Sequence, residues 1–472
     1  MFLNSAVYRF LESLEFRRFL HAGVIDTSFG DDGVASIAAD VSGPVLTDVA
    51  VTPDGRIVVT GTSQSDGTLN VARFHADGAL DPTFGDGGRA ASRIGGSAQV
   101  RAAAVQPDHK IIVVGSRGQD YFVLRYNTNG KHDRTFGDGG LARGSFGTSV
   151  SEARDVAIRD DGSILIAGTA RQANGSTAVG LARFDSDGSI DDRFGDNGTV
   201  VTKFGTLLGD APSVFANRMA LAPNGDIVLG GRFTIGNQVP KSGDDALAVM
   251  RIDSGGMPDA TFSGDGLAVA DFGVTDEQAT GIDVDAQGRP VASIGGVGVF
   301  AALRLTAGGR RDASFGINGL GRASTVPGDT TDVLIDDVGD IVLSGTADSA
   351  PRVARLTGTG EADENFGTGG LSDSLPFASA ARVVESPDQT YLVGGTDATA
   401  RALARFELVK LFRADGPAGR LISAPDLRAA RAGSYVFKVQ WREPGGVNVA
   451  TIGARDLRVT GPNGYALSLI HI

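Results

Sequence analysis

The chain has 472 residues with 43 Lys and Arg against 56 Asp and Glu, a formal net charge of -13. That sign argues against a nucleic-acid partner or a broad anionic-membrane surface, and the absence of cysteine excludes disulfides, thiolate metal sites and cysteine nucleophiles. At 41% hydrophobic residues the chain can bury a large core, and its 68 glycines call for many tight turns between short elements, an all-β signature.

Residues 1–22 contain LESLEFRRFL, in which Leu11, Leu14, Phe16, Phe19 and Leu20 alternate with charges as in a short amphipathic helix. No continuous apolar run there marks a signal peptide or a transmembrane segment. A repeat then fills residues 23–406. Its first mark is Asp-x-x-Phe in a Gly-rich turn, with Phe29, Phe84, Phe136, Phe194, Phe262, Phe315 and Phe366 spaced 51 to 68 residues apart. Its second is an Arg in an apolar stretch, at Arg73, Arg125, Arg183, Arg251, Arg304, Arg355 and Arg405. Between the marks, runs such as VAVTPDGRIVVTG and VAIRDDGSILIAG read as hairpins, because Asp-Gly supplies the positive φ of the turn.

Four short strands per unit, seven times over, predict a seven-bladed β-propeller of four-stranded blades. The phase of the repeat predicts its closure. Asp26 starts without a preceding Arg strand and ALARF at 402–406 ends without a following Asp-x-x-Phe, so residues 34–39 are expected to complete the last blade. Residues 407–430, with Pro417 and Pro425, read as a linker. From 431 to 472, the alternation of SYVFKVQW and the hairpin signal in DLRVTGPNGYAL read as a partial Ig-like β-sandwich module with too few strands to close, and the ending reads as truncated.

The segments DGALDPTFGDGG and DGSIDDRFGDNG resemble the delta-60 repeat, a bacterial family whose pattern is a dG-x-x-D-x-x-FG-x-x-G segment followed by a DG hairpin. The fifth unit departs from it with Ser263 after Phe262. The resemblance implies a propeller-like fold in large exported proteins and carries no catalytic residues. Leu14, Glu15, Arg17 and Leu20 are similar to the LEPR-XLL segment of bacterial surface proteins, with Phe16 in place of its Pro and Phe19 in place of a Leu. This implies an extracellular or cell-surface location.

No metalloprotease, P-loop or nucleophile-elbow signature is present, and no cofactor or metal is expected. His75, His109 and His132 fall at turns, and Asp185, Asp187 and Asp191 read as turn caps rather than a calcium loop. The recurring Phe are expected to pack between blades, and the recurring Arg to bond the Asp-x-x-Phe loops. A binding site is expected where the repeat is broken. The longest unit carries insertions near residues 206–215 and 232–245, on the same face as the connection 171–177, which makes Asp210, Arg232, Asn237, Lys241, Asp244 and Asp245 the candidate patch for a protein or glycan ligand. A scaffold is expected to line its central channel with small apolar side chains. The alternative, a polysaccharide lyase or hydrolase, would gather acids, His or Tyr there.

Overall fold

The computed structural model describes residues 22–37, 44–63, 66–202, 213–234, 245–273, 276–396 and 406–412, with short segments at 418–423, 438–442, 458–461 and 465–468. The chain divides into two compact units, Gly23–Arg413 and a second made of Met1–Ala22 with Ala414–Ile472. Within the second, Ala418–Ser423 pairs with Lys438–Arg442 and Arg458–Gly461 with Tyr465–Ser468, both antiparallel. No helix among the described residues is long and apolar enough to cross a membrane.

The first unit is a seven-bladed propeller. In the first blade, Pro44–Val51, Ile57–Ser63, Leu69–Phe74 and Arg89–Ser92 run antiparallel from the axis to the rim. The same order starts again at Ala98–Val105, Val150–Ile158, Ser213–Leu221 and Gln278–Val284. Leu320–Ile335 passes without a break from the rim of the fifth blade to the axis of the sixth. The sixth rim position is held by a bridge between Leu371 and Ala354. Second strands such as Ile57–Ser63 are buried on both faces, since each lies between two strands of its own sheet and between two neighbouring blades. The core is accordingly distributed over the blade interfaces: one cluster joins Ile112 and Val123 of the second blade to Ile164 and Ala182 of the third.

The seventh blade closes the ring. Val34–Ile37 pairs with Phe406–Phe412, matching Val34 to Val409 and Ile37 to Phe406. The strand that receives the N-terminal segment is thus FELVKLF, the stretch just after 402–406. Lys410 stands opposite Leu392, as Arg73 stands opposite Val58 in the first blade. The position assigned from spacing to Arg405, which lies outside the described residues, is therefore occupied by Lys410, whose Nζ lies 6.0 Å from the centre of the Phe29 ring.

Each Asp-x-x-Phe loop fastens its blade to the next. All seven Phe rings are at most 1% exposed, and six carry an Arg guanidinium 4.5 to 5.0 Å above the ring. The same guanidinium donates from Nε to the loop Asp at 2.6 to 2.9 Å. In five blades it also reaches a turn carbonyl of the following blade: Thr128, Ser186, Ser254, Ala307 or Gly358. The residue after the Phe donates its backbone N–H to that same turn, as Gly85 does to Asn129 at 2.8 Å and Gly137 to Asp187 at 2.8 Å. At Gly130 a Cβ would come 2.5 Å from the Gly85 nitrogen, and φ is +78°. The recurring turn glycine is there because two backbones meet. At the closure, a Cβ on Gly23 would lie 2.9 Å from the Gly367 nitrogen, so the seventh contact repeats the other six.

Candidate functional site

The repeated locks lie in the C-terminal half of each unit and recur around the ring, with Lys410 in place of the Arg in the seventh blade. The axis differs. Each of the seven inner strands carries a β-bulge at the same height, leaving Thr47, Arg101, Arg154, Asn217, Thr280, Thr331 and Ala381 as the extra residues. In six of the seven blades a strand glycine lies opposite the bulge, Ile294 taking its place in the fifth, and leaves room for the partner carbonyl: a Cβ on Gly115 or Gly168 would sit 1.9 or 1.8 Å from the carbonyl oxygen of Gln99 or Glu152. All seven extra residues are half-buried along the central channel.

The channel is polar, which corrects the expected small apolar lining. The residue after the bulge is Asp48, Asp155 and Asp332 in the first, third and sixth blades, and Arg218 and Arg382 in the fourth and seventh. The three carboxylates tie adjacent inner strands together. Asp48 accepts from the backbone N–H groups of Val49 (3.0 Å) and Ala103 (2.8 Å), and Asp155 from those of Val156 (2.9 Å) and Met219 (2.8 Å). Asp332 accepts from Val383 at 3.1 Å. In the fifth blade Gly281 holds this place and Asp283, two residues on, accepts from Val284 and Ile335, each at 2.8 Å. Arg382 joins three blades by donating to Asp48 (2.6 Å) and to Asp332 (3.2 Å).

Burial and charge set the protonation of this ring. Burial, with the neighbouring Asp332 charge, pushes the Asp283 carboxyl up to about 6 despite its two N–H donors. Burial likewise raises Asp155, with the Arg382 and Arg218 guanidinium groups working against it. Burial would lower Arg382, yet the carboxylates of Asp332, Asp48 and Asp155 outweigh it and hold the group above its ordinary value.

Three consecutive blades place arginines on one side of the channel: Arg101, Arg154 and Arg218. Arg101 donates to Gln99 Oε1 at 2.9 Å and Arg154 to Glu152 Oε2 at 3.0 Å, each within its own strand. The Nε of all three is shielded from solvent and has no hydrogen-bond partner among the described residues. Burial above all lowers the Arg154 pKa; the positive charges of Arg101 and Arg232 add to this, against Glu152. At the turn end of the channel a recess of about 730 Å³ opens, lined by Val51, Val105 and Ile158 at the ends of inner strands, with Arg159, Asp337 and Glu385 around them.

Of the candidate patch, Arg232 and Asp245 are paired with each other at 2.8 Å, and Arg232 lies 4.5 Å over the Phe215 ring. Asp210, Asn237, Lys241 and Asp244 lie outside the described residues. Arg232 is the expected residue that the fold brings into the field of the arginine wall. Arg101, Arg154 and Arg218 were missed because nothing in their local sequence marks them. The signal is spacing: Arg101 and Arg154 stand fourteen residues before Gly115 and Gly168, the strand glycines of their hairpins.

Outside the channel, Asp187 caps Ser189 and Asp191 bonds Arg183 and Arg193. No group of three or more His, Asp or Glu that could hold a metal occurs among the described residues. His132 departs from the exposed turn position read for it. It is half-buried, with Nε2 2.7 Å from Ser92 Oγ, which also accepts from the Tyr126 hydroxyl at 2.8 Å, and burial lowers its pKa.

Residues 52–84, 106–136, 159–194 and 222–262 match the family described as "Domain of unknown function (DUF5122) beta-propeller". Each matched stretch begins at a hairpin turn and ends on a buried Phe of the lock. No curated protein matches the chain. Solved structures to which the chain is similar include the following three. A catalytically inactive virginiamycin B lyase from Staphylococcus aureus with quinupristin is 12% identical, with 80% of this chain and 99% of that one covered at a TM-score of 0.47. The polysaccharide lyase Uly1 is 12% identical (83% and 97% covered, TM-score 0.48), and the Kuenenia stuttgartiensis hydrazine synthase 14% (80% and 98%, 0.49). These likenesses lend this chain no chemistry.

Proposed function

We propose that the propeller is a non-catalytic binding or structural module of an exported, surface-associated bacterial protein whose repeats belong with the delta-60 repeats. The observation that carries this is the state of the channel acids: Asp48, Asp155, Asp283 and Asp332 each accept a backbone N–H of the neighbouring blade. A carboxylate so engaged holds strands together and is poorly placed to exchange a proton with a substrate. The resemblance of residues 14–20 to LEPR-XLL supports export. A binding screen of the full chain against glycans and proteins, run beside an assay for cleavage of uronate-containing and sulfated polysaccharides, tests the reading. Saturable binding without turnover is expected; turnover lost on substituting a channel residue would establish the alternative, a polysaccharide lyase or hydrolase.

A further inference from the structure

We propose that Arg101, Arg154 and Arg218 form a binding site for an oxyanion group, a carboxylate, sulfate or phosphate ester, on the ligand of this channel. The inference rests on the chain being a binding module and names the chemistry its site takes.

The three side chains come from neighbouring inner strands, Ala98–Val105, Val150–Ile158 and Ser213–Leu221, which pack side by side around the axis. Arg101 and Arg154 are both bulge residues, and Arg218 directly follows the bulge residue Asn217. All three therefore stand within one residue of the same height. Elsewhere in the ring the bulge residues are Thr47, Thr280, Thr331 and Ala381. The cationic wall is a departure from the repeat, whereas the locks at the rim follow it.

Each guanidinium has five N–H donors in a planar fork. Arg101 and Arg154 each engage one short local acceptor, and no bond to Arg218 is found among the described residues. The three Nε groups are closed to an incoming ligand, so the donors left for one are the remaining terminal N–H groups of three guanidinium groups carried on adjacent inner strands, which find no further acceptor among the described residues. The anions already nearby do not supply it. Asp155 bonds Val156 and Met219 and no arginine among the described residues, Glu152 bonds a terminal nitrogen of Arg154, and Asp245 is paired with Arg232. Arg382, by contrast, is ion-paired with both Asp48 and Asp332 and is not part of the site.

An oxyanion suits this arrangement because a guanidinium fork meets two of its oxygens at once, with bonds stronger than those between neutral groups. Such a group would also relieve the mutual repulsion of the clustered arginines. A recess of about 730 Å³, within the range of small-molecule sites, opens where two of these strands end, at Val105 and Ile158.

The test is calorimetric titration of the full chain with sodium sulfate, sodium phosphate and sodium glucuronate, at ionic strength held constant with sodium chloride. The three arms separate the sources of the oxyanion. Saturable binding of at least one is expected, weakened about 10- to 100-fold by R101Q or R154Q. R93Q, which alters an arginine that is 72% exposed and pairs with Asp66, should leave it unchanged. No saturable binding of any of the three, or equal binding by R154Q, would overturn the site. Should the variants fail to fold, phenylglyoxal labelling of the wild-type chain decides: the bound anion must protect Arg101, Arg154 or Arg218, read by mass spectrometry, and unchanged labelling refutes the proposal. A neutral ligand that binds R154Q normally would refute the anion site and leave the binding module standing. Polysaccharide turnover would remove the module reading and leave the anion titrations valid.

Discussion

Replacing Arg382 with Met tests whether the channel ring is held together by charge. The side chain is 19% exposed and touches two carboxylates that are 1% and 3% exposed, Asp48 and Asp332, so its loss strands two buried negative charges. Removing one partner of a buried ion pair costs about 3 to 5 kcal/mol. Asp48 keeps the N–H donors of Val49 and Ala103, and Asp332 keeps that of Val383, which places the expected loss at the low end, about 3 kcal/mol. Denaturant unfolding followed by circular dichroism on the full chain reads the loss, and a double-mutant cycle with D48N isolates the pair. The cycle should return a coupling of about 1 to 3 kcal/mol, and R382M should be least harmful at low pH, where a protonated Asp carries no charge to bury. A loss under about 1 kcal/mol for R382M, or additive single effects, would show that backbone N–H groups alone satisfy these acids and that the ring needs no cation.

Four further outcomes are expected. Truncating Phe194 to Ala removes a fully buried ring from between the third and fourth blades and should cost about 3 to 5 kcal/mol by chemical denaturation; a loss below 1 would mean that the loop packs without it. A deletion of residues 1–40 removes Val34–Ile37, bares the edge of Phe406–Phe412, and should convert a monodisperse protein into associating species in light scattering. Stability should rise modestly as pH falls from 7 toward 5 and drop steeply below 4. Asp283, raised to about 6, takes up its proton in the folded state before the unfolded chain does, whereas Asp133, held down to about 2 by Thr135, Lys110 and Arg125 against its burial, loses its folded-state advantage as pH falls through that lower range. Melting curves of D283N should lack the upper limb. Finally, G168A should destabilise the third blade, since its Cβ meets the Glu152 carbonyl at 1.8 Å; an unchanged melting temperature would mean that the bulge is not what the strand glycine serves.

The blade count and the four-stranded unit were legible in the sequence because each depends on features a few residues apart, and the direction of closure was legible in the phase of the repeat at its two ends. An Asp-Gly turn fixes its own hairpin, and an Asp three residues before a Phe builds its own loop whichever blade it belongs to. The seventh blade shows where such reading stops. ALARF at 402–406 has the local form of the Arg strand, yet the ladder takes up FELVKLF with Lys410 in the Arg position, because pairing with Thr390–Thr396 and Val34–Ile37 decides the register. His132 is a similar case: its turn looks exposed until the rim of the preceding blade brings Ser92 to it.

The channel was out of reach of the sequence for the same reason in stronger form. Asp48 and Arg382 are 334 positions apart and meet only after seven blades close into a ring. Arg101, Arg154 and Arg218 look like ordinary strand charges until a bulge, itself set by a glycine on the adjacent strand, turns them toward the axis. The sequence by itself determined the repeat, the turns and the locks, since these are made within one unit and its neighbour. Tertiary structure alone decided which side chains share the axis, because that depends on the accumulated placement of every blade and on the phase of a bulge that no single segment encodes.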